Sequence, residues 1–281
     1  MQRLAFLASP FAALAAPAGD APELAALEHH SGGRLGVYAL DTGNGRSIAY
    51  RAHERFPMCS TFKLLLVGAV LARVDERNES LGRLVGYGET DMLPNSPVTK
   101  AHFSKAYMTV GQLCAAAIEQ SDNTAANLLI HSLLGPAGVT KFARKIGDPV
   151  TRLDRDEPQL NSAVPGDPRD TTAPAAMAAD ARVLGLGNAL SPHLRAQLRA
   201  WLLASQTGSA RLRAGVPAAW REGDKTGSGD HGTANDVAIF WPPQRAPIVV
   251  AAYFTGSKAG PDARDAVLAN VARIVREALS R

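Results

Sequence analysis

Cys59-Ser60-Thr61-Phe62-Lys63 runs directly into Leu64-Leu65-Leu66-Val67-Gly68-Ala69-Val70-Leu71-Ala72. The apolar run predicts a helix over 62–77, with Ser60 where it should begin and Lys63 one turn on. A hydroxyl at the positive end of a helix dipole, with an amine on the same face, suits an activated serine nucleophile. The same residues fit a plain alternative in which Ser60 caps the helix and Lys63 faces solvent. Ser-x-x-Lys arises by chance about once in a chain of this length and composition, so the surrounding sequence must decide.

On the N-terminal side a short helix over 22–30 precedes two strand-like runs, Arg34-Leu35-Gly36-Val37-Tyr38-Ala39-Leu40 and Arg46-Ser47-Ile48-Ala49-Tyr50. Asp41-Thr42-Gly43-Asn44-Gly45 between them reads as a hairpin turn. On the C-terminal side the pattern stays helical to about residue 205, with helices over 110–119, 123–134, 139–146, 173–184 and 193–204 and no strand among them. The longest irregular piece, 148–172, holds Pro149, Pro158, Pro165 and Pro168. A loop of that length inside a compact domain is usually functional. Strand patterns return with Lys225-Thr226-Gly227 at the start of one, then 235–241 and 246–254, before an amphipathic helix over 262–279. Tight turns between neighbouring strands imply antiparallel pairing. The expected class is α/β (α+β): an antiparallel sheet of about five strands, built from both chain ends, flanked by helices and carrying an inserted all-helical domain. Residues 19–59 and 206–281 would form the α/β domain and 60–205 the helical one, including the loop 148–172, with a cleft between them.

Within 281 residues the formal charge is only +4, and no basic run or aromatic-basic interleaving accompanies it, so nucleic acid is not an expected partner. Arg3 followed by the apolar and small residues 4–18, ending Ala16-Pro17-Ala18, reads as a signal peptide over 1–18. Export to the periplasm or the medium is therefore expected, the alternative being the N-terminal arm of a cytosolic protein. No later run is long and apolar enough to span a bilayer. The two cysteines, Cys59 and Cys114, are expected as separate buried thiols. The histidines are scattered, with no His-x-His or His-Glu-x-x-His spacing, so no zinc site, and no metal or cofactor of any kind, is expected.

Three further stretches bear on Ser60. Ser121-Asp122-Asn123 lies between two helices, where Asp122 or Asn123 could simply cap the second. Glu157 and Asn161, four residues apart in the long loop, could hold a water between a carboxylate and a carboxamide. Lys225-Thr226-Gly227 places a lysine near a glycine, which lets a ligand lie against the backbone; a charge guarding a sheet edge would look the same. Taken together, in this order and at these separations, Ser-x-x-Lys, Ser-Asp-Asn, Glu-x-x-x-Asn and Lys-Thr-Gly resemble the class A serine β-lactamases over nearly the whole chain.

The resemblance implies a set of roles. Ser60 attacks the lactam carbonyl, and its proton goes to Lys63 or to Glu157 acting through a water. Ser121 passes a proton to the departing ring nitrogen, and Glu157 with Asn161 activates the water that cleaves the ester. Backbone N–H groups of Ser60 and Ser228 form the oxyanion hole. Lys225, Thr226, Gly227 and Ser228 form the wall that takes the substrate carboxylate, and Asn123 meets the side-chain amide. Arg155 and Asp170 close the long loop as an ion pair. Where many relatives carry an arginine on the following strand, this chain has Ala234, and Arg211 is expected to replace it, with Arg213 the alternative. Gly229 stands where some carbapenem-hydrolysing relatives pair a cysteine with one at position 59, so that bridge is not expected. The implied partners are small β-lactams, with no stable protein partner and a monomeric enzyme. The alternatives are a D,D-peptidase, which shares Ser-x-x-Lys and Lys-Thr-Gly but lacks the Glu157–Asn161 arrangement as the family uses it, and a penicilloyl-binding sensor, which would acylate without turning over.

Overall fold

The computed structural model describes residues 21–280; the expected signal peptide, 1–18, lies outside them. The chain opens with α1 (Pro22–Ser31), β1 (Arg34–Asp41), β2 (Ser47–Tyr50) and a two-residue strand, β3 (Phe56–Pro57). A 3-10 turn, Cys59–Phe62, leads into α2 (Lys63–Asp75). There follow β4 (Leu84–Gly86), α3 (Pro97–Ala101), β5 (Tyr107–Thr109), α4 (Val110–Glu119), α5 (Asn123–Ser132) and α6 (Pro136–Ile146). After the long loop come β6 (Thr171–Thr172), α7 (Pro174–Gly185) and α8 (Pro192–Leu203). Strands β7 (Arg221–Gly229), β8 (Thr233–Trp241) and β9 (Ile248–Thr255) and helix α9 (Pro261–Leu279) close the chain.

The main sheet has five strands in the order β2-β1-β9-β8-β7, all pairs antiparallel. Both chain ends therefore meet where β1 pairs with β9, from Arg34 opposite Thr255 to Asp41 opposite Ile248. Seven of the eight residues of β9 are buried, which is why it reads as an unbroken apolar run rather than an alternation. One face packs Leu35, Val37, Val250 and Phe254 against Leu24 of α1 and Val267, Val271 and Val275 of α9. The other face packs Tyr38, Val249, Ala251 and Tyr253 against α7 and, beyond it, the helical region, in one continuous core.

Helix α2 is the centre of that core. Every residue from Lys63 to Ala72 is buried, so it is apolar all round, as a helix enclosed by other helices must be. Helices α4, α5, α6, α7 and α8 all touch it. A Cβ at Gly68 would lie 2.9 Å from a methyl of Leu184, so the glycine sets how closely α7 approaches.

Three expectations need correction. The region from Ser60 to residue 205 does contain strands: β4 pairs with β5, and β6 pairs with β3. None exceeds three residues, too short for an alternation to show in sequence. Lys225 does not open its strand but sits in the middle of β7, which begins at Arg221. The residues ahead of it, Glu222 and Asp224, look like loop because they are acidic, yet both are buried and both pair with Arg213. Helix α2 ends at Asp75, two residues short of the expected boundary. Among the described residues no helix is long and apolar enough to cross a membrane.

Candidate active site

Ser60 is not a cap of α2. It lies in the 3-10 turn before the helix, and no side chain caps the helix start at Phe62. Lys63 is the first helical residue and is fully buried, which removes the reading of a solvent-facing lysine. The turn is held from both sides. The Asn235 side-chain amide donates to the carbonyls of Pro57 (2.8 Å) and Met58 (3.1 Å), and Met58 N–H donates to Asp170 O (2.9 Å). The sheet and the long loop thus both fix the segment that carries Ser60.

Glu157 is the hub of the site. Ser60 Oγ donates to Glu157 Oε1 at 3.2 Å, and Lys63 Nζ approaches the same oxygen at 3.0 Å. Asn161 Nδ2 donates to Glu157 Oε2 at 2.5 Å, while Asn161 Oδ1 is buried with no protein partner among the described residues. The Glu157 backbone is gripped at two points by Asn127 of α5: Glu157 N–H donates to Asn127 Oδ1 and Asn127 Nδ2 donates to Glu157 O, both at 2.9 Å. Asn127 sits one turn beyond Asn123 on the same helix.

Lys63 is satisfied by three further acceptors: Ser121 O at 2.7 Å, Asn123 Oδ1 at 2.7 Å and, more weakly, Ser121 Oγ at 3.4 Å. Ser121 has a left-handed backbone, φ 55°. Its neighbour Asp122 is both the cap of α5, accepting from Ala125 N–H at 2.8 Å, and a staple to α3, accepting from Val98 N–H and Thr99 N–H at 2.9 Å. That double duty holds Ser121 and Asn123 on either side of it toward the lysine.

Across the cleft, Lys225 Nζ donates to Ser121 Oγ at 3.1 Å and to Thr226 O at 2.9 Å. One serine hydroxyl therefore lies between two buried lysine amines. Burial lowers the pKa of both lysines; for Lys63 the Glu157 carboxylate opposes the shift. For Lys225 burial and then the Lys63 charge push it down to about 7. Strand β7 is the sheet edge on this side, but Lys225 is fully buried, so it does not guard that edge against solvent. A Cβ at Gly227 would lie 2.7 Å from Met58 O and 3.2 Å from Ser60 N; only glycine lets the strand run this close to the nucleophile turn. Ser228, one residue on, is exposed at the cleft.

Arg211 reaches the same strand. Its guanidinium donates to Gly227 O (2.9 Å), Asn235 O (2.8 Å) and Ser228 Oγ (2.7 Å), and pairs with Asp265 at 2.8 Å. Arg213 points to Glu222 and Asp224 instead, both at 2.6 Å. Thr226 Oγ1 lies 2.6 Å from Thr207 Oγ1. In the long loop, Asp170 pairs with Arg155 (2.5 Å) and accepts from Asp154 N–H and Arg155 N–H at 2.7 and 3.0 Å.

The chain matches the model of the β-lactamase enzyme family over residues 21–279. It is 51% identical to β-lactamase CTX-M-25 of Escherichia coli over 265 residues, 94% of this chain and 91% of that one. The carbapenem-hydrolyzing β-lactamase KPC of Klebsiella oxytoca is 48% identical over 92% of this chain and 88% of its own. Among solved structures, the ancestral class A β-lactamase of Gram-negative bacteria superposes with a TM-score of 0.90 at 63% identity, covering 92% of this chain and 99% of the other. The putative class A β-lactamase PenP of Rhodopseudomonas palustris gives 0.90 at 56% identity, over 92% and 98%.

The chain belongs to the class A β-lactamases.

For a class A β-lactamase the candidate residues fall together as a single site: Ser60, Lys63, Ser121, Asn123, Glu157 and Asn161 in one hydrogen-bonded group, Lys225, Thr226, Gly227 and Ser228 along the facing strand, and Arg211 reaching that strand from outside it. Cys59 and Cys114 are both free and buried, and burial pushes both thiols up. A Cβ at Gly229 would come 2.6 Å from Cys59 Sγ; the two positions adjoin, and glycine supplies no second sulfur. Two positioning residues carried no sequence signal of their own. Asn127 and Asn235 are polar residues inside regular elements, visible only once the backbone groups they serve are known.

Proposed function

We propose that this enzyme hydrolyses the amide bond of penicillins and cephalosporins through an ester on Ser60, and so confers resistance to them. The observation that carries the reading is the convergence of Ser60 Oγ, Lys63 Nζ and Asn161 Nδ2 on one buried carboxylate, Glu157. Ser60 Oγ attacks the lactam carbonyl while its proton passes to the Lys63–Glu157 pair. The tetrahedral oxyanion lies against the N–H groups of Ser60 and Ser228, each such donor typically being worth about 10²–10³ in rate. Ser121, bonded to both lysines, delivers a proton to the departing nitrogen as the C–N bond breaks and recovers one through Lys63 from the pair that took the Ser60 proton, which leaves Glu157 ionised for the second step. Water then enters between Glu157 and the unused acceptor Asn161 Oδ1, gives its proton to Glu157 and attacks the ester, and Ser60 recovers its proton on leaving.

The substrate carboxylate is taken by Lys225, Thr226 and Ser228, with Arg211 completing the positive wall through its bond to Ser228. Asn123 meets the side-chain amide, and Asn95, Asn123, Arg211 and Gly229 together shape the substrate range. The enzyme acts as a monomer, and the sequence of residues 1–18 directs it out of the cytoplasm.

Glu157→Ala is the decisive variant. With benzylpenicillin it accumulates a covalent adduct, read as a mass increase on the intact protein, and its steady-state turnover falls by about 10³-fold or more. No trapped adduct would remove Glu157 from the water-activating role. Sustained hydrolysis of nitrocefin by the unaltered enzyme, rather than one stoichiometric burst, excludes a penicilloyl-binding sensor.

A further inference from the structure

A cavity of about 570 Å³ lies behind the loop that carries Glu157 and Asn161. Neither of those residues lines it, nor do Ser60, Lys63, Ser121 or Lys225, so it is a space separate from the substrate cleft. Its roof is the loop itself, from Leu160 to Arg169. Its floor is the end of the main sheet, where β1 begins and β9 ends, together with Arg55 and Pro57.

The charged part of the lining is predominantly basic. Four arginines, Arg34, Arg55, Arg155 and Arg169, face a single carboxylate, Asp167. Arg169 pairs with that carboxylate at 2.8 Å, Arg155 is held by Asp170 at 2.5 Å, and Arg34 is held by Glu54 at 3.0 Å. Arg55 differs from the other three. Its guanidinium donates only to neutral acceptors, Val150 O and Thr171 Oγ1, both at 3.0 Å. Among the described residues it has no carboxylate partner. The same lining includes Leu160, which is buried, and Val164, which is 48% exposed, a large apolar residue turned outward from a loop.

We propose that this cavity is a binding site for a small aromatic anion, seated with its ring on Val164 and its anionic group on Arg55. The volume falls in the range of sites for drug-sized ligands. A guanidinium suits such a ligand twice over, since its fork bonds an oxyanion and its plane stacks on an aromatic ring. Arg34, whose guanidinium carbon already lies 3.8 Å above the Phe56 ring centre, adds positive charge at the floor. A ligand in this place bridges the loop to the sheet, so it favours the closed loop and raises the melting temperature as its concentration rises.

The test uses 1-naphthyl phosphate, titrated calorimetrically into the enzyme with and without a saturating boronic acid on Ser60. Binding is expected with a Kd near about 10⁻⁴ M, unchanged within about twofold by the boronate. Two variants outside the catalytic group locate the site. Arg55→Ala removes the guanidinium that has no carboxylate partner, along with its bonds to Val150 O and Thr171 Oγ1. Val164→Glu places a negative charge at the ring position through a side chain that makes no hydrogen bond in the loop, leaving the Asp167 N–H to Val164 O bond in the backbone. Each is expected to weaken binding about tenfold or more. No binding, wild-type affinity in either variant, or loss of binding when boronate is added overturns the proposal. The boronate arm depends on Ser60 being the nucleophile, whereas the two variants do not, so a failure of that assignment shows separately.

Discussion

Helix α2 and the loop 148–172 supply the two members of one buried ion pair, Lys63 and Glu157, but they are held in place by opposite means. The helix is fixed by apolar burial on every side, from Leu64 to Ala72. The loop anchors only Leu153 and Leu160 as large apolar side chains in the core and is otherwise held by polar clamps: Asn127 on the Glu157 backbone, Asp170 on Asp154 N–H and Arg155, and Arg55 on Val150 O and Thr171. Burial is non-directional and spread over many atoms, so the helix sets where Lys63 is. A few directional bonds set where the Glu157 carboxylate points. A lesion in the helix should therefore cost stability, and a lesion in the loop should cost turnover.

The helix gives the largest effect. Leu66 is fully buried, and Leu66→Ala is expected to lower unfolding free energy by about 2–5 kcal/mol. Molecules that remain folded should keep kcat within about threefold. Denaturant unfolding and active-site titration on the same sample measure both. A loss of kcat as large as the loss of stability would erase the contrast between the two regions.

Asn127→Ala attacks the loop from α5. It leaves Glu157 N–H and C=O without their partners, and a misplaced carboxylate misorients the water. Deacylation should slow by about 10²-fold, with a stability loss of about 2 kcal/mol. Rapid-quench measurement should show ester accumulating on Ser60 while its formation is slowed far less. Equal slowing of both steps would mean that Asn127 supports the whole site rather than the loop alone.

Asp170→Asn is milder, because the amide oxygen can still accept from Asp154 and Arg155 N–H while the charge facing Arg155 is lost. About 2 kcal/mol of loop closure is removed. Benzylpenicillin turnover should fall and ceftazidime turnover should rise relative to it, as a looser loop admits the bulkier side chain. Unchanged thermal stability with an unchanged ratio of the two substrates would show that the Arg155 pair does not close the loop.

The same contrast explains what could be read from sequence. Leu64 to Ala72 and the β9 run announced a buried helix and a buried strand because apolar burial leaves a continuous or periodic pattern. The polar clamps leave none. Asn127 looks like any helix-surface amide, and Asn235 like a polar interruption of a strand, until the carbonyls of Pro57, Met58 and Glu157 are seen beside them. Lys225 is legible as a member of a Lys-Thr-Gly set, but the sequence pattern starts the strand at Lys225 whereas the strand begins at Arg221. The acidic residues before it resemble a loop, and only the fold shows Arg213 lying between Glu222 and Asp224. Short β4, β5 and β6 were missed for a different reason: two or three residues form a ladder only because a distant partner is already in place.

The smallest effect tests the facing wall, where burial and charge act on the same residue. Burial and the Lys63 charge hold Lys225 down to about 7. At that value the free enzyme should carry Lys225 mostly as ammonium at pH 6 and mostly neutral at pH 8, and on the proposed reading only the ammonium attracts the substrate carboxylate. Values of kcat/KM, which report ionisations of the free enzyme, should fall by about fivefold to tenfold across that interval. The sign is fixed by the direction of the shift: a lysine at its ordinary value of 10.5 would stay charged throughout and give no such fall. Lys225→Arg keeps the positive charge over this range, so the difference between the two profiles isolates Lys225 from Lys63 and Glu157. Its profile should flatten by the same factor even if kcat itself is lower, whereas two parallel profiles would place the falling limb on the Lys63–Glu157 pair instead.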